Sequence, residues 1–161
     1  MAGWHMNLQS IISIDPGDVH CGVAVFMAVM GEDGVPRLEC RLTTERSPEG
    51  LFDSLKVWSA QHGNDKLCFD VMVVEKFVVY PEKAMSLSWS DLRTVEVIGV
   101  LRERCRCEKV PFVLQPASVK KATEGMLRAR GIALKSRGSG GHAKDAEIHG
   151  WHYWLKTQAE L

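Results

Sequence analysis

The chain has 161 residues and a formal net charge of zero, with 45% hydrophobic and 25% charged side chains. This composition is typical of one folded domain and excludes collagen-like and intrinsically disordered proteins. No apolar stretch approaches the roughly 18 residues of a membrane-spanning helix, and the first residues do not resemble a signal peptide. We therefore expect a single soluble domain over residues 1–161, with residues 1–8 as a flexible leader.

The zero net charge conceals an asymmetry along the chain. Residues 1–101 carry 8 basic and 14 acidic side chains, whereas residues 102–137 carry 10 basic and 3 acidic ones. A basic block of this kind suits a polyanion such as nucleic acid, although an ordinary solvated surface has the same pattern. The charge pattern alone leaves both interpretations open.

The five cysteines are an odd number, and their spacings fit neither a disulfide framework nor a paired zinc site. We therefore predict reduced thiols and a cytoplasmic protein.

The order of the predicted elements indicates an α/β fold. Apolar runs bounded by turn signals predict strands at 10–15, 21–29, 38–42, 71–75 and 111–114. Helical spacing and capping signals predict helices at 48–61, 88–107, from 116 onward, and 142–158. Three consecutive strands suggest an antiparallel meander, and the later helical crossovers suggest parallel pairing. We expect a five-stranded mixed sheet with helices on both faces.

Two predicted strands end in an acidic residue. Asp15 closes the first strand, and Glu75 closes the strand at 71–75. Parallel strands place their carboxyl ends at one edge of a sheet, where ligands usually bind. Either acid alone is more often a solvated residue at the start of a loop.

The last predicted helix carries a polar face that begins directly after a glycine-rich hinge. His142, Asp145, His149 and His152 fall on this face at about 100° per residue. The first two lie at the helix N-terminus, where we expect them near the strand-end acids. We interpret His149 and His152 as polar surface, because later turns are expected to lie farther from the carboxylates.

Two Asp, one Glu and one His form a mostly oxygen-donor set, which suits Mg²⁺ or Mn²⁺ better than structural zinc. Carboxylates on different elements fit two-metal phosphodiester hydrolysis, in which two ions lie roughly 3.5–4 Å apart.

Four motifs carry a resemblance to a known family. They are Ile-Ile-Ser-Ile-Asp15-Pro-Gly-Asp, Val-Val-Glu75-Lys-Phe-Val-Val-Tyr-Pro, Gln115-Pro-Ala-Ser-Val-Lys-Lys-Ala-Thr and His142-Ala-Lys-Asp145-Ala. In this order, over residues 10–156, they resemble the RuvC-type Holliday junction resolvases of the RNase H-like superfamily, and particularly the RuvC-like resolvases of bacteriophages.

The resemblance implies an RNase H-like fold and a homodimeric, Mg²⁺- or Mn²⁺-dependent endonuclease with two ions in each active site. Such enzymes nick symmetrically opposed strands of four-way DNA junctions. By resemblance, Asp15 is the first acid, Glu75 the middle acid, and His142 and Asp145 the paired ligands of the final helix. His142 is either a metal ligand or a proton carrier.

The basic block supplies the predicted DNA contacts. Phosphate contacts use Lys and Arg at any DNA sequence. The candidates are Lys120, Lys121, Arg128, Arg130, Lys135 and Arg137. Phe77 or Tyr80 is expected to stack at an opened base step, and Phe77 lies near the position of the family's junction-wedging aromatic residue.

Two rival functions remain at this stage. One is another nuclease on the same fold, acting on RNA·DNA hybrids or on branched DNA in general, because fold does not settle function. The other is a nucleic-acid-binding module with an inactive metal site.

The helix at 88–107 is a candidate dimer interface. Its main apolar stripe is Leu92, Val95, Ile98, Leu101 and Cys105, and further apolar residues lie beyond it. These are Trp89, Val97, Val100 and Leu101, which we interpret as an interface between two copies. Full burial of this helix within one copy explains the same pattern.

Overall fold

The computed structural model of the chain describes residues 10–61, 67–78, 86, 88–136 and 141–159. Five strands lie within these residues: β1 (Ser10–Asp15), β2 (Cys21–Met30), β3 (Pro36–Arg46), β4 (Val71–Lys76) and β5 (Phe112–Pro116). The helices there are α1 (Pro48–Gln61), α2 (Trp89–Glu108), α3 (Val119–Ala129) and α4 (Gly141–Ala159). The predicted order of elements is confirmed.

The five strands form one mixed sheet in the order β3-β2-β1-β4-β5. β1, β2 and β3 form the predicted antiparallel meander. β4 pairs in parallel with β1 and with β5. The parallel half of the sheet therefore has its carboxyl ends at one edge, as the sequence predicts.

The strand register aligns three polar residues at that edge. Ile14 of β1 is the partner of Val74 of β4, so that Asp15 and Glu75 follow at neighbouring positions. Glu75 is in turn the register partner of Gln115 of β5. Three adjacent parallel strands thus present Asp15, Glu75 and Gln115 in one row.

Helices cover both faces of the sheet, as predicted. Residues of α1 and α2, including Leu51, Leu55 and Leu101, pack with buried side chains of β1, β2 and β4 in one core cluster. Leu127 of α3 and Trp151 of α4 belong to a second core cluster on the other face. α3 and α4 also pack against each other, and this pair carries the side chains that reach the sheet edge.

Helix α4 approaches the sheet closely at two glycines. A Cβ atom on Gly22 of β2 would lie 1.8 Å from the carbonyl oxygen of His142, and one on Gly150 would lie 2.1 Å from the Phe26 ring. Neither position has room for a larger side chain. Gly22 is the register partner of Asp15, so the missing side chain brings the start of α4 beside the first acid.

The expected orientation of α2 is only partly correct, because Ile98, Leu101 and Cys105 of its apolar stripe face the core and the other two members do not. Val97, which the sequence pattern assigns to an interface, is 1% exposed and belongs to the core. Leu101, which the pattern assigns both to the core stripe and to the interface, is 0% exposed and belongs to the core. Leu92 and Val95, which we had placed in the core, are each 48% exposed. Steps of three residues drift by about 60° per step around a helix, so a run of such steps does not stay on one face.

The buried face of α2 instead follows the spacing of three and four residues. Its buried members are Thr94, Val97, Leu101 and Cys105. A fully buried leucine or valine side chain contributes about 1.5–3 kcal/mol to folding. The outer face presents Trp89 and Val100, which are 88% and 44% exposed and remain interface candidates.

One boundary also differs from the prediction. Pro116, expected to start a helix, is the last residue of β5, and α3 starts at Val119. All five cysteines are free thiols, as predicted. No helix in the described ranges has both the length and the apolar character needed to cross a membrane.

Candidate metal centre

Three carboxylates converge at the edge of the sheet. Carboxylate oxygens of Asp15, Glu75 and Asp145 all lie within 4.8 Å of one another. Asp15 ends β1, Glu75 lies near the end of β4, and Asp145 lies one turn into α4. The sequence-based expectation that these acids meet is therefore confirmed.

The electrostatics of Asp15 indicate that the cluster favours a cation. Burial of this side chain raises the pKa of its carboxyl from 3.8 to about 6, and the negative charge of Glu75 acts in the same direction. The hydrogen bond and charge of His142 oppose this effect without cancelling it. Three nearby carboxylates thus repel one another, and a bound cation would relieve this repulsion.

His142 contacts Asp15 and lies at the solvent side of the cluster. Its Nδ1 atom is 2.7 Å from Asp15 Oδ2, and its side chain is 45% exposed. The ring is held through Nδ1, so among the described residues Nε2 is the nitrogen that remains for a ligand or a proton. This geometry accommodates both roles that the sequence left open.

Lys120 lies inside the carboxylate cluster. Its Nζ atom is 3.0 Å from Glu75 Oε2 and 2.6 Å from Asp145 Oδ2. Burial opposes its charged form, but the hydrogen bonds to Asp145 and Glu75 outweigh this effect and raise the pKa of Lys120. The sequence pattern predicts a contact between this lysine and the DNA backbone, whereas in the structure its ammonium group contacts the acids.

Glu75 remains ionised because it has strong donors. Burial disfavours its charge, yet hydrogen bonds from His149 and Lys120 keep the pKa of its carboxyl below the usual value. Glu75 and Asp15 therefore differ: one carboxylate is well compensated by nearby donors, and the other lacks full compensation.

The interpretation of His149 as polar surface is wrong. This residue is 0% exposed, and its Nε2 atom lies 2.9 Å from Glu75 Oε2. Its Nδ1 atom lies 2.9 Å from Gln115 Oε1. Helix α4 packs on one face of the sheet against β1, β2, β3 and β4, so a residue one turn beyond Asp145 still reaches Glu75.

His152 is half-buried between α3 and α4. Its Nδ1 atom lies 2.9 Å from the hydroxyl oxygen of Thr123, which itself is fully buried. Burial lowers the pKa of His152, and the neighbouring charges of His149 and Lys156 add to the effect. This histidine joins two helices and does not take part in the carboxylate cluster.

A cleft of about 310 Å³ opens onto the acids. Asp15 and Glu75 form part of its wall, and Phe77 and Val78 extend the wall beyond β4. The opposite side comes from the residues between β5 and α3, including Ser118. Phe77 therefore lines the same cleft as Asp15 and Glu75, and its stacking role stays a prediction.

The other predicted DNA contacts lie in different surroundings. Lys121, Arg128 and Arg130 are exposed on or just after α3. Lys135 Nζ donates to the carbonyl oxygen of Arg41 at 2.6 Å, so this ammonium group contacts the β3 backbone. Tyr80 and Arg137 lie outside the described residues.

A buried carboxylate fixes the segment that carries Lys135. Glu147 of α4 is fully buried and accepts hydrogen bonds from the backbone N–H groups of Lys135 and Ser136, both at 2.8 Å. Buried charges require such partners. Sequence analysis missed this contact, because Glu147 has no distinctive neighbour along the chain.

The donor set of the cluster fits a hard divalent cation. Three carboxylates and an adjacent imidazole provide mainly oxygen ligands, which Mg²⁺ and Mn²⁺ prefer. The raised pKa of Asp15 is the electrostatic sign expected at a site that needs positive charge.

The sequence pattern does not indicate the roles of three residues at the acid site. Lys120 and His149 bond to Glu75 of this cluster, and Gln115 bonds to His149. For Gln115 a signal existed, since it ends a strand parallel to the one that carries Glu75. For His149 the required information was the path of α4, which the sequence pattern does not specify.

Comparison with known proteins supports the fold independently. No protein-family model and no curated protein matches the sequence. RuvC of T. thermophilus in complex with a Holliday junction substrate is similar, with a TM-score of 0.64, 15% identity, and 94% of this chain and 96% of that chain covered.

Two further solved structures are also similar. A second RuvC structure from Thermus thermophilus gives a TM-score of 0.57 at 15% identity, over 94% of this chain and 97% of that one. The yeast mitochondrial Holliday junction resolvase Ydc2 gives 0.55 at 14% identity, over 95% and 81% of the two chains. The chain therefore has the RNase H-like α/β fold in the form found in RuvC-type Holliday junction resolvases.

Proposed function

We propose that the protein is a divalent-metal-dependent endonuclease that resolves four-way DNA junctions. The observation that carries this proposal is the cluster of Asp15, Glu75 and Asp145, whose oxygens lie within 4.8 Å of one another. The cluster lies at the carboxyl edge of a fold shared with a RuvC structure that contains a Holliday junction substrate.

The proposed metal ligands are Asp15, Glu75, His142 and Asp145. Bound Mg²⁺ or Mn²⁺, with two ions in each site, would activate the attacking water and neutralise charge on the leaving oxygen. The protein provides the position: two sheet strands and one helix hold the acids before substrate binds. Such preorganisation avoids rearrangement during the reaction.

His142 is suited to proton transfer or to metal binding. Its Nδ1 atom is occupied by the contact with Asp15 Oδ2 at 2.7 Å, which orients the ring. A carboxylate partner on one ring nitrogen fixes the orientation of the other, Nε2, and raises its basicity. We place Nε2 at the side of the site where the substrate enters.

Lys120 has a role that changes when the site is loaded. In the structure its ammonium group balances the charges of Glu75 and Asp145. We propose that a bound cation takes over this balancing, so that Lys120 can donate to an oxygen of the cleaved phosphate. Lys121, Arg128 and Arg130 are proposed to hold the DNA backbone, and Phe77 to stack on an exposed base.

We further propose that the active enzyme is a homodimer. Two opposed nicks in a symmetric junction are most simply made by two sites related by a two-fold axis. The outer face of α2 is the candidate interface, because its apolar residues Trp89, Leu92, Val95 and Val100 are 44–88% exposed. Exposed apolar residues grouped on one face of a helix are a common feature of contacts between proteins.

The decisive experiment compares DNA and hybrid substrates. The protein is incubated with labelled four-way junction, linear duplex and RNA·DNA hybrid in Mg²⁺, Mn²⁺ or EDTA. We expect paired nicks in opposite strands of the junction, with either metal and not with EDTA. Equal cleavage of the hybrid would assign the site to a different nuclease, and junction binding without any cleavage would assign an inactive metal site.

A further inference from the structure

We propose that His149, itself held by Gln115, is a positioning residue that fixes the Glu75 carboxylate for cation binding. The inference rests on the proposed function in one respect, namely that Glu75 binds a divalent cation. It concerns His149 and Gln115, whose side-chain hydrogen bonds within the described residues join them to each other and to Glu75.

The geometry of this contact is rigid. Glu75 and Gln115 are register partners on neighbouring parallel strands. The imidazole of His149 bridges them from α4, with Nε2 2.9 Å from Glu75 Oε2 and Nδ1 2.9 Å from Gln115 Oε1. His149 is fully buried and Gln115 is 6% exposed. A planar ring bonded at both nitrogens cannot turn without breaking one bond.

The hydrogen-bond inventory determines the direction of the contact with Glu75. An ionised carboxylate accepts hydrogen bonds and donates none, so the Nε2 atom of His149 carries the hydrogen. Nδ1 then either donates to the Gln115 oxygen or, with the amide turned over, accepts from its NH₂ group. In both arrangements the Nε2–H group donates to Glu75, so the conclusion is the same for a neutral ring protonated at Nε2 and for a ring protonated at both nitrogens.

The two donors to Glu75 act on the same oxygen. His149 Nε2 and Lys120 Nζ lie 2.9 Å and 3.0 Å from Oε2. Within the part of the chain that the structure describes, Oε1 is therefore the oxygen that remains for a cation. Because Lys120 is a flexible side chain and His149 is a buried ring, His149 is the donor that sets the carboxylate plane.

The alternative is that the bridge is an ordinary buried polar contact that stabilises the packing of α4 on the sheet. The two roles differ in what a mutation changes. A purely stabilising contact would alter the melting temperature and leave cation affinity intact. A positioning contact would alter cation affinity even in a fully folded variant, and outer-sphere partners of metal ligands typically change that affinity by about 10–100-fold.

A matched pair of substitutions separates these roles. The side-chain amide of glutamine reaches about as far as histidine Nε2, so His149→Gln can retain the donor to Glu75. Asparagine reaches only about as far as Nδ1, so His149→Asn cannot. Both remove the ring and both place an amide in the same buried position. His152→Asn, on the same helix but bonded to Thr123, is the matched control.

The measurement is Mn²⁺ binding by electron paramagnetic resonance of the free ion, in the absence of DNA, with circular dichroism to confirm folding. We expect His149→Asn to weaken Mn²⁺ binding about 10-fold or more. We expect His149→Gln to stay within about 3-fold of wild type and His152→Asn to bind as wild type. Wild-type affinity in folded His149→Asn, or equal losses in both His149 variants, would overturn the proposal.

Gln115→Met provides the second route if His149→Asn does not fold. It keeps the length of the side chain and removes the partner of Nδ1, so we expect weaker Mn²⁺ binding in the same direction. Unchanged affinity in folded Gln115→Met would refute the role assigned to Gln115.

The outcomes also separate this inference from the proposed function. If the wild-type protein cuts no DNA but its Mn²⁺ binding depends on His149, the role of His149 is supported and the nuclease function is refuted. If wild type and His149→Asn cut the junction with the same Mn²⁺ dependence, the nuclease function is supported and the role of His149 is refuted.

Discussion

Lys120 Nζ lies 2.6 Å from Asp145 Oδ2, at the centre of a site that the sequence marks by its acids. The same nitrogen contacts Glu75 Oε2 at 3.0 Å. An ammonium group between two carboxylates offsets their mutual repulsion. The neighbouring Lys121 is exposed, so two adjacent lysines have different surroundings and we expect different functions.

This difference predicts that the same substitution affects the cleavage rate at Lys120 and the salt dependence of DNA binding at Lys121. Lys120→Met should lower the single-turnover cleavage rate at saturating junction by on the order of 100-fold, because it removes a positioned donor from the reacting phosphate. Lys121→Met should instead reduce the slope of log affinity against log salt by roughly one unit. Filter binding at several salt concentrations gives the slopes, and indistinguishable slopes for Lys121→Met and wild type would place the DNA path elsewhere.

Removal of a carboxylate should separate binding from cleavage. Asp15→Asn and Glu75→Gln each delete a proposed metal ligand while leaving the exposed basic residues in place. We expect cleavage below detection in both variants and junction affinity within a few-fold of wild type. Gel-shift binding in Ca²⁺ and cleavage in Mg²⁺ test this together. Full activity of either variant would contradict the assignment of the site.

The raised pKa of Asp15 predicts a pH-dependent instability of the metal-free protein. The unfolded carboxyl releases its proton near pH 3.8, whereas the folded one holds it to about pH 6. Stability from this group is therefore complete below pH 3.8 and lost as the pH rises through 6. At pH 7.5, Asp15→Asn should be more stable than wild type by on the order of 1–3 kcal/mol.

Urea unfolding in EDTA at pH 4.5 and 7.5 measures this effect. The difference between Asp15→Asn and wild type should be larger at pH 7.5 than at pH 4.5. Mg²⁺ at pH 7.5 should stabilise the wild-type protein more than the variant. If the difference in the free energy of unfolding between Asp15→Asn and wild type is the same at both pH values, the pKa of Asp15 is not raised by folding.

The sequence predicted the sheet because its strands are marked locally. β1 and β4 are short apolar runs that end in an acid, and turn residues separate the strands of the meander. Parallel pairing then brings Asp15 and Glu75 together without further information. The predicted meeting of these acids with Asp145 rested on its position at the start of the last helix and on the family resemblance, and it is confirmed.

The other residues of the site could not be predicted, because their contacts join parts of the chain that are far apart in sequence. The sequence pattern gives the face of α4 but not its path, so His149 was assigned to the surface although it contacts Glu75. A related limit applies to α2, where three-residue steps included the exposed Leu92 and Val95 in the core and placed Val97 outside it. The bacteriophage source, the cytoplasmic location and the single domain over residues 1–161 stay predictions.

The outer face of α2 predicts how the protein assembles. Leu92 and Val95 are each 48% exposed on the side opposite the core, and Trp89 extends the apolar surface at the helix start. A charge placed in an apolar interface must be desolvated on association, which disfavours the dimer. Val95→Glu should therefore convert a dimer of about 36 kDa into a monomer of 18.0 kDa.

Val57→Glu is the matched control for this experiment. Val57 is also a helical valine, 53% exposed, but it lies on α1. We expect this variant to remain dimeric, to melt close to wild type, and to produce paired nicks in the junction. Val95→Glu should accumulate singly nicked junctions, because a monomer must cut, release and bind again before the second strand is cleaved.

Light scattering at micromolar protein with and without junction measures the masses. A wild-type mass of 18.0 kDa in both conditions would reject the dimer, and paired nicks from monomeric Val95→Glu would reject the mechanism that requires it.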